Sequence, residues 1–268
     1  VMRDHYEGTP MDMTQDIGAG GNALPYRWRP MGFEHDGKKY VNERAIATQQ
    51  TGFWFVGQSR GWLPDTIGGV NWFGCDDAAT SYLTPIYTTI NDVPECFRVG
   101  NGNMITYSPT SAFWVTNRVA NACYKAYDMM APTVRAAIDS WENEMISAVA
   151  KADEEALKMY NEAEKKPRKQ IKRNDKAKKL VDPYASVREY LTDFSVGNAQ
   201  KIFNKWVDLE VLLLVKYIDG NVKAQNEDGS FVTNEHTDCI PSGIKQPGYT
   251  AKWKEAVAKD HGNIIMEK

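Results

Sequence analysis

Arg60 sits in the turn sequence Arg60-Gly61-Trp62-Leu63-Pro64-Asp65, a fixed cation beside a glycine and a proline. A guanidinium at such a strand end can face a cleft. Arg3, Asp4, His5, Tyr6 and Glu7 place five hydrogen-bonding side chains ahead of the Gly8-Thr9-Pro10 turn. That run suits one wall of a polar pocket, or a solvated loop with local salt bridges. Cys75, Cys96, Cys123 and Cys239 lack the CxxC spacing of a zinc or redox pair, and His5, His35, His236 and His261 lack metal-ligand spacing. The cysteines read mostly as small buried hydrophobes. Cys75 precedes Asp76-Asp77, whose carboxylates raise a thiol pKa and argue against an activated nucleophile.

The elements that would hold these residues can be read from pattern. Residues 45–58 and 69–73, rich in Thr, Val, Phe and Trp, predict two strands, with Gly68-Gly69 allowing close backbone approach on the return. Asp36-Gly37 predicts a tight turn leading into them. Gly18, Gly20 and Gly21 belong to an ordered loop and not a nucleotide loop, since no strand precedes them and Pro25 blocks a following helix. Ser108-Pro109 predicts a helix start, and Val115, Val119, Ala122, Cys123, Ala126, Tyr127 and Met130 form one apolar stripe behind it. Pro132 is expected to break that helix. A second run over residues 133–163 carries Val134, Ile138, Trp141, Met145, Val149, Ala152, Ala156 and Met159.

Residues 164–179 are the sharpest composition shift, basic but without interleaved aromatics, so a solvated hinge is expected and nucleic-acid binding is not. Beyond it come a short helix at Tyr184, Val187, Leu191 and Phe194, and a more buried one over residues 199–218 that Asp219-Gly220 stops. Residues 222–225 and 230–232 predict a hairpin, and Tyr249, Trp253 and Val257 a last amphipathic helix. The expected division is therefore a sheet-rich part at 1–130, a helical part at 131–218 with its basic hinge near 164–180, and a hairpin and tail at 219–268. A net charge of −3 gives no global basic field for nucleic acid or an anionic membrane. The longest aliphatic run, residues 211–215, is far short of the ~20 residues of a membrane span. Residues 1–14 lack the basic-then-apolar pattern of a secretory signal.

RDHYEGTP at 3–10, TGFWFVGQSRGWLP at 51–64, GGVNWFGCDDAATSYLTPIY at 68–87 and SPTSAFW at 108–114 together closely resemble the dipeptidase A and secernin family of cysteine peptidases. The resemblance implies an α+β chain, part of an αββα sandwich like that of the N-terminal-nucleophile hydrolases, with long C-terminal helices. It implies a cysteine at the mature N-terminus as nucleophile, its own α-amino group as base, and no metal or cofactor. Val1 is not a Cys, Ser or Thr, and internal cysteines have no free amine beside the thiol. The expectation is a middle and C-terminal part of the enzyme, inactive alone, whose nucleophile comes from an upstream segment.

By analogy with related amidases, the resemblance makes Arg60 the first candidate for lowering the thiol pKa and Asn71 a candidate oxyanion donor. Trp72 and Tyr82 would form an apolar wall, and Arg3, Asp4, His5, Tyr6 and Glu7 would hold a charged substrate terminus. The partners implied are a short peptide and the upstream segment. A half sandwich would also expose an apolar sheet surface and associate into a homo-oligomer. A periplasmic or extracellular setting follows from the resemblance alone. Two rivals stand beside this reading: a non-enzymatic peptide- or protein-binding module, and an amidase acting on acylated amino acids.

Overall fold

The computed structural model describes residues 1–165 and 182–267. The chain is mixed helix and sheet, in agreement with the α+β expectation. It opens with loops and a short hairpin, β1 (Gly32–His35) and β2 (Lys38–Val41). Asp36 and Gly37 both take positive φ, 48° and 68°, the geometry of a two-residue hairpin turn. Strand β3 (Phe53–Ser59) leads through the one-turn helix α1 (Asp65–Gly68) to β4 (Gly69–Cys75), its antiparallel partner, with Val56 opposite Trp72. The first strand is shorter than expected at its start. Thr51 N–H and Oγ1 both donate to Thr48 O, a local turn that competes with extended backbone.

Strand β5 (Thr84–Tyr87) completes this sheet in the order β3-β4-β5. Its Pro85 disguises it in the sequence. Tyr87, two residues on, turns its N–H away from β4 and donates to Ser195 Oγ at 3.1 Å, so the donor that Pro85 lacks falls on the same outward side. Gly74 is pressed against the chain leading into β5, and a Cβ there would lie 2.4 Å from Tyr82 O.

Three long helices cover the sheet: α2 (Ala112–Lys125), α3 (Tyr127–Lys165) and α4 (Ala185–Tyr217). Val115, Val119 and Cys123 of α2, Val134, Ile138, Trp141 and Met145 of α3, and Ile202, Trp206 and Leu213 of α4 meet in the main core. A second core joins Ile67, Val70 and Tyr87 to Val149, Ala152, Val187 and Leu191. The apolar stripes read from the sequence are the buried faces. Their punctuation differs in four places. Ser108 Oγ donates to Asn101 Oδ1 at 2.6 Å instead of capping, and α2 begins three residues later behind Ser111. The break between α2 and α3 falls at Ala126 (φ −154°, ψ 72°), while Pro132 lies inside α3 near its start. The two helices expected after residue 184 are one, running through Gly197. The C-terminal hairpin is β6 (Thr233–Asn234) with β7 (Thr237–Pro241), its turn fixed by Asn234 Oδ1 accepting from His236 N and Thr237 N, whereas the expected pairing of residues 222–225 with 230–232 is reduced to a bridge between Gln225 and Phe231 flanked by Val232 N–H donating to Ala224 O and Asn226 N–H to Ser230 O.

Asp219 and Gly220 end α4 with positive φ, as expected, and α5 (Ala251–Ile265) closes the chain. The boundary drawn at residue 130 falls inside α3. All but the first two residues of the basic stretch 164–179 lie outside the described residues. No helix among the described residues is long and apolar enough to cross a membrane. The described residues contain one three-stranded sheet and two separate two-stranded hairpins.

Candidate active site

The polar residues at the start of the chain are held by the core. Arg3 is a clamp: its guanidinium donates to both carboxylate oxygens of Glu142 at 2.6 and 3.0 Å, to Ala78 O at 2.7 Å and to Ser81 O at 3.1 Å. It also lies over the Trp54 ring. His5 is buried, with Nδ1 against Glu7 Oε1 at 2.8 Å and Nε2 against the Tyr26 hydroxyl at 3.1 Å. Asp4 accepts from Tyr6 N at 2.8 Å, and the Tyr6 hydroxyl donates to Arg44 O at 3.0 Å. Arg3, Asp4, His5 and Glu7, with Asp128 and Arg135, line a cavity of about 680 Å³. Tyr6 faces elsewhere. Arg3 is paired with Glu142, Arg135 with Asp139, and both Glu7 oxygens with His5, its Oε2 accepting from His5 N at 2.7 Å.

Four other expected site residues do not line that cavity. Arg60 is 5% exposed and forms an ion pair with Asp153 of α3; its Nη2 donates to Ile67 O at 2.7 Å and its Nε to Gly68 O at 3.3 Å. Its charge ties the β3–β4 connection to α3. Tyr82 is 1% exposed, packed edge-on against Trp206, with its hydroxyl buried and unpaired among the described residues. That places it in the core, away from any apolar wall open to substrate. Trp72 is half-buried and donates to Gln58 Oε1 at 3.1 Å.

Asn71 stands differently. Its Oδ1 is buried without a hydrogen-bond partner among the described residues. In the sheet it lies between Gly57 of β3 and Ile86 of β5. A Cβ at Gly57 would meet nothing within 4 Å. The missing side chain leaves a notch beside the Asn71 carboxamide, on the face that also carries exposed Phe53 and Phe55.

Behind this face lies a buried network that residue types alone did not reveal. Asp77 Oδ2 accepts from the Tyr26 hydroxyl and, at 3.0 Å, from Thr80 Oγ1, while Oδ1 accepts from Ala79 N at 3.2 Å. The chain Glu7–His5–Tyr26–Asp77 thus runs from the cavity wall to the end of β4. Asp76 Oδ1 accepts from Asn117 Nδ2 at 3.2 Å, and its Oδ2 is buried without a partner among the described residues. Burial pushes the Asp76 carboxyl up to about 7, with Asp77 adding to the rise. Burial likewise raises Asp77. The adjacent acids were visible in the sequence; Tyr26 and Asn117, distant along the chain, carried no local signal. Burial also pushes the thiols of Cys75, Cys96 and Cys123 up to about 12, which leaves them neutral and unreactive near pH 7.

The α+β chain thus has a polar cavity and, apart from it, an Asn71 Oδ1 buried without a partner among the described residues on a half-open sheet face. The description of peptidase family C69 matches residues 1–140, more than half of the 268 residues. The chain belongs to peptidase family C69. Over 72 residues it is 32% identical to the probable dipeptidase B of Lactococcus lactis subsp. lactis (strain IL1403), a stretch covering 27% of this chain and 15% of that protein.

Proposed function

We propose that the chain is the downstream part of a cysteine dipeptidase with an N-terminal-nucleophile-like αββα sandwich, its thiol supplied by an upstream segment. The observation that carries this reading is the match of residues 1–140 to the C69 family, with Asn71, whose Oδ1 is buried without a hydrogen-bond partner among the described residues, beside the open Gly57 notch. The thiols of half-buried Cys75 and buried Cys96 and Cys123, held neutral by desolvation, support an external nucleophile. In the reaction the upstream thiol attacks the peptide carbonyl carbon and gives its proton to the adjacent α-amino group. Asn71 Nδ2 donates to the carbonyl oxygen as negative charge develops there. The proton passes to the leaving amine, the C–N bond breaks, and water then hydrolyses the thioester. Arg60 enters as a positioning residue, because its guanidinium is committed to Asp153 and the turn carbonyls.

In the protein with its upstream segment, Asn71→Ala should lower kcat by roughly 10²–10³-fold with KM little changed. An unchanged kcat would remove Asn71 from the reaction. A substrate panel with free and acylated amino ends separates dipeptidase from amidase: hydrolysis confined to acylated substrates would select the amidase. The second reading, a binding module, draws on the exposed strand β3. Stoichiometric peptide binding without turnover in the restored protein would favour it.

A further inference from the structure

The chain Glu7–His5–Tyr26–Asp77 has three hydrogen-bonded links: Glu7 Oε1 with His5 Nδ1 at 2.8 Å, His5 Nε2 with the Tyr26 hydroxyl at 3.1 Å, and the Tyr26 hydroxyl with Asp77 Oδ2. Each link needs one proton between its two heavy atoms. A neutral imidazole supplies one, the phenol supplies one, and ionised carboxylates supply none. The count is one short. Without a third proton, one link would set two lone pairs face to face, at a place where His5, Tyr26 and Asp77 are 1%, 3% and 0% exposed. The surrounding groups do not make up the difference. Glu7 Oε2 accepts from His5 N, and Asp77 also accepts from Thr80 Oγ1 and Ala79 N, but each of these donors brings only the proton of its own bond. Tyr127 lies edge-on to the His5 and Tyr26 rings and Tyr124 edge-on to Tyr26, and a phenol likewise brings the proton for any bond it adds. Asp12 faces His5 and Asp76 faces Asp77 as charges, while the cavity's Arg3 and Arg135 are held by Glu142 and Asp139.

We propose that this chain is a proton relay, which holds a third proton and passes it between Glu7 at the cavity wall and buried Asp77 at the end of β4. With the proton at the cavity end, Glu7 Oε1–H donates to Nδ1, Nε2–H donates to the Tyr26 oxygen, and Tyr26 O–H donates to Asp77. Three hops, Oε1 to Nδ1, Nε2 to the phenol oxygen and the phenol oxygen to Oδ2, reverse every link, ionise Glu7 and protonate Asp77. The ring and the phenol each give one proton for the one they receive, so only the two carboxyls change. The ends pull in opposite directions. Burial raises Asp77 and draws the proton inward, while three donors converging on its carboxylate hold the proton back. Glu7, with its side chain 49% exposed, opens the chain to the cavity. An amine or a carboxylic acid bound in that cavity would meet a proton donor and acceptor at one atom, Glu7 Oε1. This inference does not rest on the dipeptidase reading, since its test needs no substrate.

A neutron structure of the deuterated protein counts the protons directly. Three deuterons on the three links are expected, and two would overturn the proposal. Transfer along the chain is read in solution from the nitrogen shifts of the His5 ring. Asp77→Asn brings amide protons of its own to Tyr26 and removes the need for the third, so the ring should move toward one protonated and one bare nitrogen, although Asp77 does not hydrogen-bond to His5. Tyr26→Phe cuts the chain, and in that background Asp77→Asn should leave the ring shifts unchanged. A ring indifferent to Asp77→Asn while Tyr26 is present, or equally responsive in its absence, would overturn the relay. The neutron count uses the parent protein alone and holds even where a variant fails to fold.

Discussion

Asp76 ends β4 in the left-handed region, φ 68°, with its carboxyl buried and one oxygen unpaired among the described residues. Its pKa of about 7 in the fold lies above the ordinary 3.8. Between those values the folded chain keeps a proton that the unfolded chain releases. Stability therefore falls as pH rises from about 4 to about 7, by at most about 1.4 kcal/mol per pH unit from this group. Asp76→Asn keeps an acceptor for Asn117 and tolerates positive φ. Urea midpoints at pH 5 and pH 8 should show the variant gaining on the parent at the higher pH, with a flatter profile; Asp77, raised in the same direction, keeps part of the slope. An identical pH profile in the two proteins would contradict the assignment. At this scale the sequence was legible where chemistry is local, as in the acids after Cys75. It misled where a side chain's partner is remote: Arg60 reads as a free cation until Asp153, far along the chain, takes its charge.

The helices follow the apolar stripes because burial of one face every three or four residues is written directly in the chain. Their ends were harder to read, since breakers act through context. Gly197 sits inside α4 with nothing within 4 Å of a would-be Cβ, so the helix tolerates it without needing it. Gly197→Ala should raise stability by about 0.5–1 kcal/mol in chemical denaturation, from helix propensity and a less disordered unfolded chain. A loss of stability there would mean that α4 depends on the glycine. Strand β5 was missed for the converse reason: Pro85 reads as a breaker, yet its absent N–H points away from the ladder. The Thr48 turn, which shortens β3, is set by hydrogen bonds that residue type does not specify.

At the scale of the whole molecule, one edge of the sheet is sealed by α4 and the other is bare, and the carboxamide of Asn71 stands beside an open notch on the half-exposed face. Desolvation raises the thiols of Cys75, Cys96 and Cys123. The proposed function has this chain contribute an oxyanion donor to a nucleophile carried elsewhere. Hydrolysis of a dipeptide panel by the isolated chain, by the protein with its upstream segment restored, and by the restored protein with its first mature cysteine changed to alanine tests that claim directly. The account predicts turnover in the restored protein only. Turnover by the isolated chain, or by the cysteine-to-alanine form, would contradict it.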